Sequence, residues 1–228
     1  MRRSCGIAVA AAVMLAWASE ASAHGVAGKD ALFLQSLDGR AIGPLMYLGA
    51  KHMVTGYDHL AFLFGVVFFL YRLRDVVAYV SLFTLGHSIT LLAGVLGGIH
   101  ANAHIVDAII GVSVVYKAFD NIDGFRWFFG VQPNARAAVL LFGLFHGFGL
   151  ATKLQEFALS SNGLVGNIVS FNIGVEIGQA IALTGVLAIL VVLRRQRHFE
   201  RVTLATNGVL MACGLALVAY QLTGYFLA

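Results

Sequence analysis

Apolar residues come in long blocks along this chain, broken by short polar breaks. After an N-terminal apolar stretch, six blocks lie near Tyr57–Tyr71, Val76–Gly97, His104–Phe119, Ala137–Thr152, Gly166–Leu193 and Val202–Leu227. Each is too long and too uniformly apolar for a half-buried strand. With only two prolines in 228 residues, the pattern predicts an all-α, polytopic helical bundle of about six transmembrane helices. Composition agrees: 59% of residues are hydrophobic and 11% charged, where soluble domains carry about 25% charge.

The first apolar stretch reads differently. Residues 1–23, MRRSCGIAVAAAVMLAWASEASA, join Arg2 and Arg3 to a short apolar core and end in Ala21-Ser22-Ala23, the form of a cleaved secretory signal peptide. Residues 24–56 then form a periplasmic segment. Within it, AIGPLMYLGAKHMVTG suggests an interfacial helix, and residues 57–228 make the transmembrane domain. Cys5 leaves with the signal and Cys213 stands alone, so the mature chain has no intrachain disulfide.

Charge sets the orientation. With both termini in the periplasm, the inner connections hold Arg72, Arg74, Arg126, Arg136, Arg194, Arg195, Arg197 and Arg201, while the outer ones hold only Lys153. The net charge of +4 therefore reflects membrane topology and not nucleic-acid binding. The expected location is a bacterial inner membrane.

Ionisable groups inside spans are costly and mark function by default. Here they are Asp58, His59, His87, Asp107, His146 and Glu176. Traced by direction, they fall at one level, in the half of the bilayer that faces the periplasm. Asn172, Glu176 and Gln179 stand at i, i+4 and i+7 on one helix face. His52 and His59 share a face if their helix is continuous. His24, His100 and His104 lie outside as candidates for outer capture.

Three histidines with carboxylates suit nickel, zinc, cobalt or iron without choosing among them, and His24 at a free N-terminus adds copper. Asp58 serves either as a ligand or as the group that fixes a histidine tautomer, and Asp107, Asn172, Gln179 and His52 line the pathway. Lys117 and Asp120, three apart, should pair. VSLFTLGHS (Val80–Ser88) and VLLFGLFHG (Val139–Gly147) share V-x-L-F-x-L-x-H, which suggests two parallel repeats. No G-x-x-x-x-G-K-[ST], G-x-S-x-G or H-E-x-x-H occurs.

GYDHLAFLFG, FTLGHSITLLAG, FGLFHGFGLA and FNIGVEIGQ, in this order, resemble the second branch of the HupE/UreJ membrane-protein family over about Leu48 to Ala182. The resemblance implies a secondary permease for nickel or cobalt, with Asp58, His59, His87, His146 and Glu176 handling the metal. Similar proteins usually carry Glu where this chain has Asp107. The inner halves of the spans are almost wholly apolar, which keeps two further classes open. One is a membrane-embedded zinc-dependent hydrolase, in which three His hold zinc and Glu176 or Asp58 is the base. The other is a non-transporting subunit that holds metal or haem. The partners implied are the metal ion and the lipid bilayer, with homo-oligomerisation or a larger membrane complex as further associations and no nucleic acid.

Overall fold

The computed structural model describes residues 39–155 and 162–227. Eight helices account for nearly all of them: α1 (Ile42–Thr55), α2 (Tyr57–Val67), α3 (Leu73–Gly97), α4 (Ala103–Asn121), α5 (Gly124–Phe129), α6 (Ala135–Gln155), α7 (Leu164–Arg194) and α8 (Phe199–Leu227). No strand occurs among the described residues. The expected signal peptide and His24 lie outside them. Within the described residues four helices, α3, α6, α7 and α8, are long and apolar enough to cross a membrane. The 19-residue α4 is not among these; it carries Asp107, Lys117 and Asp120. Helix α2 is apolar but only 11 residues long.

Local sequence sets the ends. Asn102 caps α4 by accepting from Ile105 N at 3.2 Å. Asn134, after Pro133, accepts from Arg136 N and Ala137 N at 3.0 and 3.1 Å and so starts α6. Gly98, in the left-handed region at φ 61°, ends α3 and donates back to Gly94 O. The Gln155 amide, at the end of α6, adds donors to Gly94 O and Ile99 O at 2.8 and 3.2 Å.

The bundle is assembled from three intimate helix pairs. Helices α3 and α6 run parallel, α1 and α7 run parallel, and α4 and α8 run antiparallel. Small residues let the backbones touch. A Cβ on Gly147 would stand 2.2 Å from His87 O, and one on Gly174 would stand 1.9 Å from Met46 O. The α3–α6 pair joins the two segments that share V-x-L-F-x-L-x-H, so the sequence likeness has a spatial counterpart in two parallel neighbours.

The segment read as an interfacial helix is α1, and it lies lengthwise against α7 as part of the bundle. Leu45 and Met53 are fully buried. Asn167 of α7 holds its start, accepting from Ala41 N at 2.8 Å and donating to Gly39 O at 2.9 Å. After Thr55 the chain breaks at Gly56 (φ −74°, ψ 93°) and restarts at once as α2. Helix α2 ends against the far tip of α7, where the Arg194 guanidinium donates to Val67 O (2.7 Å), Phe68 O (2.6 Å) and Leu70 O (3.1 Å) and lies over the Tyr71 ring. A helix C-terminus favours such a cation. Arg194→Ala should therefore destabilise the protein by about 1–3 kcal/mol, since these carbonyls lose a charged donor. Thermal melting in detergent reads the effect; an unchanged midpoint would remove this role.

Polar residues also knit the end of the bundle away from Asp107. Lys117 and Asp120 pair at 2.5 Å as the spacing predicts, and Gln132 donates to the same carboxylate. Asn121 bridges Gly65 O and Asn207 Oδ1 at 2.9 and 3.0 Å. Helix α5 leaves Trp127, Phe128 and Phe129 exposed.

Candidate metal-binding site

The break at Gly56 places Asp58 and His59 in the first turn of α2, deep in the bundle. Both are buried, at 6% and 3% exposure. His59 Nδ1 lies 3.0 Å from Asp58 Oδ1. A carboxylate only accepts, so this nitrogen carries the proton and Nε2 presents a lone pair. A Cβ on Gly56 would stand 2.9 Å from His52 O and 3.3 Å from His59 Nδ1, so the bare backbone makes room at this joint.

Three other rings gather around His59. The centroid of His146 is 4.8 Å away, that of His52 5.3 Å and that of His87 5.9 Å. His52 joins although α1 and α2 are separate helices. Helix α6 delivers His146, which is fully buried. Its Nδ1 donates to Phe142 O at 2.7 Å, which again leaves Nε2 as the lone-pair nitrogen. Helix α3 delivers His87, 1% exposed. Gly147 is what brings these two helices together here, with its α-carbon against the His87 carbonyl. Thr90 locks the register by donating to Leu144 O at 2.7 Å.

Among the described residues, His59 Nε2 and both nitrogens of His87 are buried without a hydrogen-bond partner. Buried polar atoms are nearly always satisfied, so three such nitrogens at one place are groups that a bound ligand could satisfy. The ring separations are also those of neighbouring ligands: imidazoles bound to one ion at about 2.0–2.1 Å set their centroids roughly 5 Å apart. The nitrogens do not yet converge, and among the described residues no three His, Cys, Asp or Glu side chains form a group that could hold a metal ion. Rotation of the rings about χ would be needed to close one.

Below the rings lies an aromatic floor. Phe62 packs against both Phe83 and Phe142, with centroids at 5.4 and 5.8 Å. Phe83 also touches His59, His87 and His146.

The other expected site residues are elsewhere. Asp107 pairs with Lys153 Nζ at 3.0 Å and accepts from Gln221 Nε2 at 3.1 Å. Gln221 Oε1 in turn meets His104 Nδ1 at 2.8 Å. These four residues tie the neighbouring ends of α4, α6 and α8. His100 is exposed on the loop before α4. Asn172, Glu176 and Gln179 do share one face of α7, but that face lines a groove shared with α3, apart from the histidines. Gln221, Thr84 and Ser88 are contributors that the pattern of ionisable residues does not single out. Gln221 was legible as an amide within the last apolar run, whereas hydroxyls inside apolar helices usually bond their own backbone and carry little signal.

The fold and site thus define a polytopic helical membrane protein built around a buried imidazole cluster at a broken helix. Residues 28–228 match the model of the HupE / UreJ protein family, and the chain belongs to that family. It is accordingly a nickel- or cobalt-related membrane protein. Comparison with curated proteins and with solved structures gave no match.

Proposed function

We propose that the protein is a secondary permease for nickel or cobalt in a bacterial inner membrane, and that its cargo binds among His59, His87 and His146 from the periplasmic side. The unpartnered buried nitrogens of His59 and His87 carry this reading. Neutral imidazole nitrogens are good ligands for both ions. Asp58 orients His59 and balances the incoming charge. A cation of charge two gains about 4.6 kcal/mol per 100 mV on moving inward, so the membrane potential suffices as a driving force in a chain without a nucleotide motif.

The broken helix supports transport over static holding. Discontinuous helices in transporters set carbonyls and a positive helix start at the binding site, where the backbone can rearrange. Helices α1 and α2 act together as one interrupted crossing alongside α7. The aromatic floor and the Arg194 clasp close the inner side, so this arrangement is the one that accepts cargo from outside.

The deciding experiment is nickel and cobalt accumulation by cells making the wild-type protein, with equilibrium binding on the purified protein. Asp58→Asn keeps the shape of the side chain but weakens its hold on the His59 tautomer. It should lower nickel affinity about 10–100-fold. Unchanged affinity would exclude Asp58 from the site. Binding without uptake by the wild type would favour a metal-holding subunit.

A further inference from the structure

Helix α3 carries two unlike sets of polar residues on adjacent faces. His87 faces the imidazole cluster, while Ser81, Thr84 and Ser88 line a groove of about 510 Å³ opposite Asn172, Glu176 and Gln179 of α7. The two helices touch only lightly, and hydrogen bonds bridge them. Ser88 and Asn172 bond side chain to side chain at 2.9 and 3.2 Å. Thr84 donates to Gln179 Oε1 at 3.1 Å.

Glu176 sits between Asn172 and Gln179 on this face. It is exposed to the groove, and among the described residues it has no hydrogen-bond or ion-pair partner. It lies 12 residues into a 31-residue membrane-crossing helix, roughly 18 Å from its start at 1.5 Å per residue. Among the described residues no Lys or Arg lines the groove. A bare carboxylate at that depth is expensive and calls for a counter-charge.

The donor set says which. Every polar group offered brings oxygen: one carboxylate, two amide carbonyls and three hydroxyls. Such oxygens suit hard cations, whereas the imidazole cluster suits borderline transition metals. The charge count narrows the choice further. A single carboxylate neutralises a monovalent ion, while a divalent ion would leave a net positive charge inside the bilayer.

We infer that the α3–α7 groove is a second cation site for a hard monovalent ion, sodium being the ion tested, with Glu176 as its charged ligand and Asn172, Ser88 and Thr84 as neutral oxygen donors. Because successive residues of α3, His87 and Ser88, serve the two sites, an ion in the groove bears directly on the helix that presents His87. A co-ion role for sodium rests on the permease reading; sodium binding itself does not.

The test uses the full-length protein in detergent, with the thermal midpoint followed as sodium chloride replaces choline chloride at constant ionic strength. A ligand that binds only the folded state raises the midpoint with its concentration. Sodium should raise it for the wild type and for His87→Ala, and Glu176→Gln should require at least about tenfold more sodium for the same rise. Asn172→Asp, which adds a second carboxylate and keeps an acceptor for Ser88, should shift the preference to magnesium or manganese. Equal effects of sodium, potassium and choline overturn the proposal, as does a Glu176→Gln variant that responds at the same sodium concentrations as the wild type. So does a larger response to magnesium than to sodium in the wild type. A response to pH alone, lost in Glu176→Gln, would make this a proton site and also overturns it. If wild type shows the sodium response but no nickel uptake under any gradient, the permease reading fails and the groove site stands. Nickel uptake without a sodium response overturns the groove site and leaves the permease reading standing.

Discussion

Cells carrying His87→Ala should accumulate no more nickel or cobalt than cells lacking the protein, and the purified variant should lose more than the ~10–100-fold in affinity typical of changes around a metal ligand. This is the largest functional effect expected, because neither nitrogen of His87 has a hydrogen-bond partner among the described residues, which leaves the ring free to bind cargo. His146 differs: its Nδ1 also satisfies Phe142 O, so replacing it costs stability as well as binding. That difference supplies a control. His87→Ala leaves a cavity but has no hydrogen bond to lose, so its thermal midpoint should fall less than that of His146→Ala while binding disappears. Wild-type uptake by His87→Ala would end the proposed role of the cluster.

The largest structural effect should come from the α1–α7 seam. A Cβ at Gly174 would lie 1.9 Å from Met46 O, and one at Gly49 would lie 2.0 Å from Phe171 O. Both obstacles are backbone, which cannot step aside as a side-chain tip can. Overpacking usually costs about 1–3 kcal/mol, and Gly174→Ala should reach about 3 kcal/mol or more because two helices must part. Gly185→Ala, on the same helix, has nothing within 4 Å of the new methyl. There the loss of glycine's unfolded-state freedom dominates, and the protein should gain about 0.5–1 kcal/mol. Opposite signs for one chemical change on one helix, read by thermal or denaturant unfolding, would confirm the seam. Equal effects would contradict it.

Much of the helical plan was legible in the chain, because membrane-length apolar blocks have few other solutions. All six expected blocks correspond to described helices. His59, His87 and His146 were also legible as partners, since burying an imidazole in an apolar helix is costly unless it serves something. What could not be read was azimuth. Glu176 shares a depth with the histidines, but depth does not say which side of α7 it occupies, and Gly174 and Gly178 turn that helix so that Glu176 faces α3's hydroxyls. Asp107 was similarly drawn away by Lys153, a residue counted only for topology. The role of α1 was missed because its sequence is amphipathic by pattern: Tyr47 is 65% exposed while Leu45 is fully buried. An amphipathic helix suits a membrane surface or a neighbouring helix equally well. Only Gly49 hinted at the neighbour.

Asn167 and Arg194 stand near opposite ends of α7, and each grips one end of the interrupted α1–α2 pair. Mechanically this is a beam clamped at both tips with its soft point in the middle. The two anchors on one rod fix the span between them, so any shortening or lengthening of the pair would have to be absorbed at Gly56, where Asp58 and His59 are mounted.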